Sequence, residues 1–320
     1  MTPLTRKELA ILRSVVYASL FDYPLTADQA RRTLVECEGT APDVLAAYGR
    51  SHALNAVIEY RDGFFYPVGC GHLVAERRRR EGRSRAFLER HARVLRLISG
   101  LPFVRMVALS GSIAHLNLEP EGDLDLFIVT RGHHVWTVTL SILLLTKLLG
   151  HRRTICANFV VADTELAFEQ QDLFTANQII HLKPIVGADV MDELLAANPF
   201  VGRFYPNAVD RADDGLDRGR RSRPAGLIER ACRGLYGWYL RRKARSWRSP
   251  EQVRLGDDCL KLHTRSHRAA ITDRFEGAVA RAVALAASAD DQARRAIPSE
   301  PAEDRFGAAE AAAAGSRRAR

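Results

Sequence analysis

Gly111, Ser112, Asp123 and Asp125 have the residue types and the spacing to do phosphate and metal chemistry. Asp123 and Asp125 flank Leu124 in the run Asp123-Leu124-Asp125-Leu126-Phe127-Ile128-Val129, whose apolar, β-rich character predicts a strand from Asp123 to Thr130. Side chains alternate faces along a strand, so the two carboxylates share one face while Leu124, Leu126 and Ile128 share the other. Two carboxylates on a strand otherwise made for burial are unfavourable unless something compensates. A hard divalent cation with oxygen ligands, Mg2+ or Mn2+, would do so. Two exposed acids at a strand edge, or acids capping a turn, would satisfy the same three letters.

Upstream, Phe103 to Ser110 reads as a buried strand, Gly111-Ser112 as a turn, and Ile113 to Asn117 as a short helical stretch. Glycine lets the backbone approach a ligand closely. Amides at a helix start favour an anion, and the Ser112 hydroxyl can add a bond to a phosphate oxygen, or can simply cap the helix. A loop, Glu119-Pro120-Glu121-Gly122, leads to the acids. The order is thus a phosphate cradle followed closely by a metal-binding pair.

In this arrangement the chain resembles the DNA polymerase beta-like nucleotidyltransferase superfamily. The resemblance rests on LSGS, the ten-residue spacer IAHLNLEPEG, and DLDL, covering Leu109 to Leu126. More broadly, FVRMVALSGSIAHLN, DLDLFIV and FTANQIIHLKPIVG look like a bacterial group of uncharacterised nucleotidyltransferase-domain proteins. The resemblance implies that Asp123 and Asp125 are catalytic metal ligands for Mg2+ (or Mn2+) and that Gly111 and Ser112 bind the nucleotide's β- and γ-phosphates. It also implies transfer of an NMP group from an NTP to an acceptor, with release of pyrophosphate. A third carboxylate, which also helps deprotonate the acceptor, is usual on a later strand. Here the matching strand, TICANFVVAD, has no acid in its middle. Asn158 is the positional match, and an amide is a poor base. Asp163, just past the strand end, is expected to approach Asp125 if an acid is to complete the site, with Glu165 second.

The fold class expected is α/β (α+β), a small mixed-sheet nucleotidyltransferase core with an N-terminal winged-helix-like module and a C-terminal helical region. Residues 1–72 show three helical stretches, then Ala56-Val57-Ile58-Glu59-Tyr60 and Phe64-Phe65-Tyr66-Pro67-Val68 around Arg61-Asp62-Gly63, which predicts a hairpin. This is the order of a winged helix, for DNA binding or for packing and partner contact. No helix there is rich in the Arg, Lys, Asn and Gln that major-groove reading needs. Residues 73–209 hold the core. They open with a charged helix, Ala75 to Ser99, whose front, ERRRREGRSR, reads as a solvated face able to meet phosphate. They continue through the strands and an apolar helix, Val135 to Gly150. Thr175, Asn177 and Lys183 are expected in helical sequence after the third strand, Lys183 within reach of a phosphate; His115 and Asn117 could line the pocket. Residues 210–287 are read as a polar linker and helices over Leu227 to Arg248 and Leu255 to Ala287, from which Lys261 and His263 could reach the site. Residues 288–320, rich in Ala, Glu and Arg, read as a disordered tail or loose helix.

The net charge of +9 suits acidic partners such as nucleotides, nucleic acid or an anionic surface, and equally an Arg-rich composition without a specific site. Five scattered cysteines without a CxxC pair indicate neither zinc nor a disulfide framework and fit a reducing cytoplasm. The N-terminus, with Arg6, Lys7 and Arg13, does not read as a signal peptide. The apolar run at Val135 to Gly150 is short for a bilayer span of about 20 residues, so no membrane is expected. Two functions remain: an Mg2+-dependent nucleotidyltransferase with an unknown acceptor, or a catalytically weak nucleotide-binding regulator that contacts DNA or a protein through its N-terminal module.

Overall fold

The computed structural model describes residues 4–209, 226–243, 253–262 and 268–296. The N-terminal unit comprises α1 (Arg6–Ser19), β1 (Leu25–Thr26), α2 (Ala27–Arg32), α3 (Ala41–Arg50), α4 (His52–Asn55), β2 (Ile58–Arg61) and β3 (Phe64–Pro67). One device starts three of its helices. Thr5, Thr26 and Thr40 each accept a bond from the backbone amide three residues on, and Glu8, Gln29 and Asp43 reach back to the cap amide. Asp62 and Gly63 both take positive φ, the geometry of a tight hairpin turn between β2 and β3. The short β1 pairs with β3, giving an antiparallel sheet of order β1-β3-β2 over a core that includes Ile11, Leu12, Leu34, Leu54 and Phe65.

The chain continues through α5 (His72–Ser99), β4 (Val104–Ser110), α6 (Gly111–Ala114), β5 (Leu124–Thr130), α7 (Val135–Leu148), β6 (Ile155–Ala162), α8 (Leu173–Ile180), β7 (Lys183–Val186), α9 (Val190–Ala197), α10 (Phe200–Phe204), α11 (Leu227–Lys243), β8 (Val253–Leu255), β9 (Cys259–Leu262) and α12 (Arg268–Ala296). Six of these strands form one mixed sheet of order β7-β4-β5-β6-β9-β8. Strands β4 and β5 are antiparallel, whereas β5 and β6 are parallel because α7 crosses between them. Alternation along the strands builds two cores. Val107, Leu109, Leu126 and Ile128 pack with α5 and α7 on one face. Met106, Ala108, Phe127 and Val129 pack with α8, α9 and α10 on the other.

Three expectations are corrected. Lys183 lies in an edge strand rather than a helix, paired with Leu109; Pro184, which cannot donate to a ladder, is at home there. The stretch from Leu255 is not helical, since β8 and β9 extend the sheet, β9 pairing with β6. Finally, α12 runs to Ala296, past the expected tail boundary at residue 287, and packs on the N-terminal unit, burying Phe275 and Ala286 in that core. The expected linker at 210–225, His263, and residues 297–320 lie outside the described residues.

The charged front of α5 is only partly the solvated face expected: Arg78, Arg79 and Arg85 are exposed. Arg77 is buried, its guanidinium against the rings of Tyr23 and Phe64 and bonded to the Pro24 carbonyl and Gln29. Ser84 accepts from the Leu118 amide at 3.1 Å, and Arg83 donates to the Leu118 carbonyl at 2.8 Å. This face therefore clamps the N-terminal unit and the loop after α6. The apolar α7 is half core: Trp136 and Ile142 are buried, Leu148 is exposed. Among the described residues no helix is long and apolar enough to cross a membrane.

Buried Glu229 of α11 accepts from the amides of Trp136 and Thr137, at 2.7 and 2.9 Å, and from the Thr137 hydroxyl at 2.5 Å. It satisfies amides that a helix start leaves unpaired and pins α11 to α7. Glu229→Ala would strand these donors, so a loss of about 1–3 kcal/mol is expected, read as a lower midpoint in urea unfolding.

Candidate functional site

The acids sit where β5 begins. Asp125 pairs with Ser110 of β4 on one side and Cys156 of β6 on the other. Gly111, immediately after β4, takes φ +63°, and a Cβ placed on it would stand 2.6 Å from Asp125 Oδ2. No other residue fits: the conformation favours glycine and the carboxylate occupies the space. The Gly-Ser turn and the acid pair are therefore one site rather than two neighbouring motifs. Ser112 is exposed beside them. As α6 has only four residues, a helix dipole contributes little here, and any phosphate contact falls to the backbone at Gly111 and to the Ser112 hydroxyl.

Asn158 faces Asp125. The β5–β6 register slips between Leu126 and Phe127, so that Ala157 lies opposite Leu126 and Phe159 opposite Phe127. Asn158 is the extra residue, a bulge that re-aims its side chain, and its Nδ2 donates to Asp125 Oδ1. Burial, and then the charge of Asp123, push the Asp125 carboxyl up to about 7; the bond from Asn158 pulls the other way. Burial, and then Asp123 nearby, push the Cys156 thiol up to about 12, so it is a poor nucleophile at neutral pH.

Asp163 does not approach Asp125. Its amide donates to the Thr130 carbonyl at the far end of β5, and its carboxylate accepts from Gly132 N at 2.8 Å and Arg105 Nη1 at 3.1 Å. It lies seven residues beyond Cys156, the neighbour of Asp125, which at ~3.3 Å per residue is on the order of 20 Å away. The expectation fails because β6 runs parallel to β5, so its C-terminal acid is carried away from the start of β5. Glu165, past the same end, goes with it. Asn158 alone occupies the third-acid position.

Other sequence candidates divide. Lys183 is exposed on the strand flanking β4, one residue pair short of Ser110. His115 lies edge-on to Tyr23 and tilted against His181, with ring centroids at 5.5 and 4.2 Å, and burial holds its pKa well below the ordinary histidine range, favouring the neutral ring. Asn117 is no pocket residue; it is buried and donates to the Phe21 carbonyl, joining the N-terminal unit to the core. Asn177 donates to the Tyr205 hydroxyl, and the amide of buried Thr175 donates to the carboxylate of the α8 cap Asp172. Lys261 lies opposite Phe159 and donates to Gln170 at 3.4 Å. Cys156 was missed as a site residue, since its contact with Asp123 follows from strand pairing alone.

The donor chemistry fits Mg2+. Two carboxylates and an amide are hard oxygen donors, and Mg2+ is held by one or two carboxylates while keeping waters or phosphate oxygens. Burial first, and then the like charge of Asp123, make Asp125 a weaker acid, and a cation would relieve the repulsion between the two carboxylates. Among the described residues no group of three or more His, Cys, Asp or Glu side chains gathers, so a cation at this pair would complete its shell with water or substrate. Comparisons with protein-family models, with curated proteins and with solved structures gave no match.

Gly111→Ala should drive the new methyl into Asp125 and cost about 1–3 kcal/mol for backbone strain alone, read by thermal melting. A pH effect follows from Asp125. Its value in the folded chain lies above the ordinary carboxylate value of about 4, so folding favours the protonated acid. That contribution is fully present below pH ~4 and is lost as pH rises through about 7. In EDTA, the stability of the wild type relative to Asp125→Asn should fall across this window; a constant difference would contradict the burial of the acid.

Proposed function

We propose that this chain is a nucleotidyltransferase-type domain that binds a nucleoside triphosphate with Mg2+ at Asp123, Asp125, Gly111 and Ser112. The supporting observation is the close approach of Asp125 to Gly111, which brings the acid pair and the Gly-Ser turn together. Asp123 and Asp125 would hold the metal, which when bound would neutralise charge on the phosphates. The Gly111 backbone and the Ser112 hydroxyl hold phosphate oxygens, and Lys183 adds a positive charge behind them. In the reaction, an acceptor oxygen or nitrogen forms a bond to the α-phosphorus. The bond from that phosphorus to the bridging oxygen breaks, and pyrophosphate leaves with the electron pair. The acceptor's proton must go to water or to Asp125, since the amide of Asn158 cannot take it.

That last constraint favours a second reading, in which the domain binds nucleotide and transfers slowly, acting as a regulator. The N-terminal unit has the helix and strand order of a winged helix and would supply its partner contact. The outward residues of α3 are Pro42, Leu45, Ala46, Gly49 and Arg50, with one cation among them. Such a face suits protein contact better than a DNA groove.

Calorimetry with a non-hydrolysable NTP tests the site. Binding should require Mg2+ and should weaken at least tenfold in Asp123→Ala plus Asp125→Ala; equal binding by the two proteins would refute the assignment. Turnover by Asn158→Asp then separates the readings. A gain of NTP consumption over wild type marks a dormant transferase, and no gain with NTP binding intact marks a binder.

A further inference from the structure

The exposed large apolar side chains of the described residues gather on two neighbouring helices, α7 and α11. Glu229 at the start of α11 caps the start of α7. Thr146 and Lys243, near the two C-terminal ends, line one cavity of about 200 Å³ between the helices, floored by the first half of β6. Helix α11 turns Glu229, Tyr236 and Leu240 inward. Its opposite side carries Leu227, Ala231, Leu235, Trp238 and Arg242, spaced three or four residues apart and all exposed. Ile228 and Tyr239 widen this stripe, and the end of α7 adds Leu144, Leu148 and Leu149. Exposure reaches 84% at Leu148, 77% at Leu227 and 67% at Leu235. A helix apolar on two opposite sides is one that is covered on both.

The charge of this face has one sign. From Arg131 to Ala162 the sequence holds no Asp or Glu, and the one acid of α11, Glu229, is buried. Lys147, Arg152 and Arg153 accompany the exposed leucines of α7, and Arg241 and Arg242 close α11. All are exposed, and none forms an ion pair among the described residues. In sequence, α11 is preceded by Arg218, Arg220, Arg221 and Arg223 and followed by Arg245 and Arg248. We infer that the face formed by α7 and α11 docks on an anionic phospholipid surface, its leucines and Trp238 entering the headgroup boundary and its arginines meeting lipid phosphates. A helix lying in a bilayer interface has this make-up, apolar residues and Trp on one side with Arg and Lys beside them, and needs no spanning length. Anionic lipid attracts such cations to its surface. A nucleic acid would satisfy the arginines through its phosphates but leave Leu148, Leu227 and Leu235 with nothing to bury against. A second copy across a two-fold axis would cover the leucines but set like charges against each other. Docking at this face requires nothing of the nucleotide site.

Co-sedimentation of the full chain with vesicles tests this, using phosphatidylcholine alone and equal parts of phosphatidylcholine and phosphatidylglycerol. Binding to the anionic vesicles should be at least tenfold tighter and should weaken as salt is added. Leu148→Gln plus Leu235→Gln changes only exposed positions and leaves every charge in place. This variant, confirmed as folded by circular dichroism, should bind the anionic vesicles at least several-fold more weakly. Lys147→Gln, Arg153→Gln and Arg241→Gln together should weaken binding to anionic vesicles by a similar factor and leave binding to neutral ones unchanged. Equal binding to the two vesicle types, or binding to neither, would overturn the proposal. Binding unchanged by the leucine variant would rest on charge alone and overturn this face. Duplex DNA bound in place of vesicles would give the cations to nucleic acid. A dimer dissociated by the leucine variant, without vesicle binding, would give the face to a second copy; either result would overturn docking on lipid.

Discussion

The site depends on one electrostatic constraint: Asp125 stands near the start of a strand whose later residues are buried, with the charge of Asp123 close to it. Phe127 and Val129 continue the face of Asp125 into the core, so Asp125 cannot turn to solvent without taking β5 out of register. Its neighbours are shaped around it. Gly111 is glycine because the carboxylate fills the space of a side chain. Asn158 is re-aimed by a bulge to donate to it. The Asp125 carboxyl nevertheless stays pushed up to about 7 by burial and by Asp123, so the protein atoms satisfy its geometry better than its charge.

Strand β6 links the chemistry to the surroundings. One side of its first half carries Cys156 and Asn158 against the acids, and the same stretch floors the cavity beneath α7 and α11. A bulge in this strand does more than distort the ladder, because it puts an amide, neutral and able both to donate and to accept, between two compartments. Strand β9 pairs with β6 only from Phe159 onward, which leaves the first half of β6 open to the cavity.

The N-terminal unit is bound into the rest of the molecule by polar contacts rather than tethered to it. Buried Arg77 holds the Pro24 turn, and Asn117 spans from the loop after α6 to Phe21. The far C-terminal helix, α12, lies on the same unit, with Tyr17 and Phe275 edge to face at 5.3 Å. The loop that follows the Gly-Ser turn is thus fixed from outside the sheet, which couples the shape of the site to packing between distant segments.

The sequence by itself determined the local features: the Gly-Ser turn, the nearness of Asp123 to Asp125, the apolar strands β4, β5 and β6, and the hairpin at Asp62-Gly63. Each is governed by short-range rules, strand alternation and glycine's access to positive φ, that act over a few residues. Only the tertiary structure decided what depends on pairing between distant segments. The parallel run of β6 beside β5 carries Asp163 away from the acids and leaves Asn158 in its place. The edge strands β7 and β9 were hidden because short apolar runs read alike as helix or strand until a neighbour offers its hydrogen bonds. The burial of Arg77 could not be seen in a run of arginines, because which of them meets a tyrosine ring and a free carbonyl is set by the surface that packs against them.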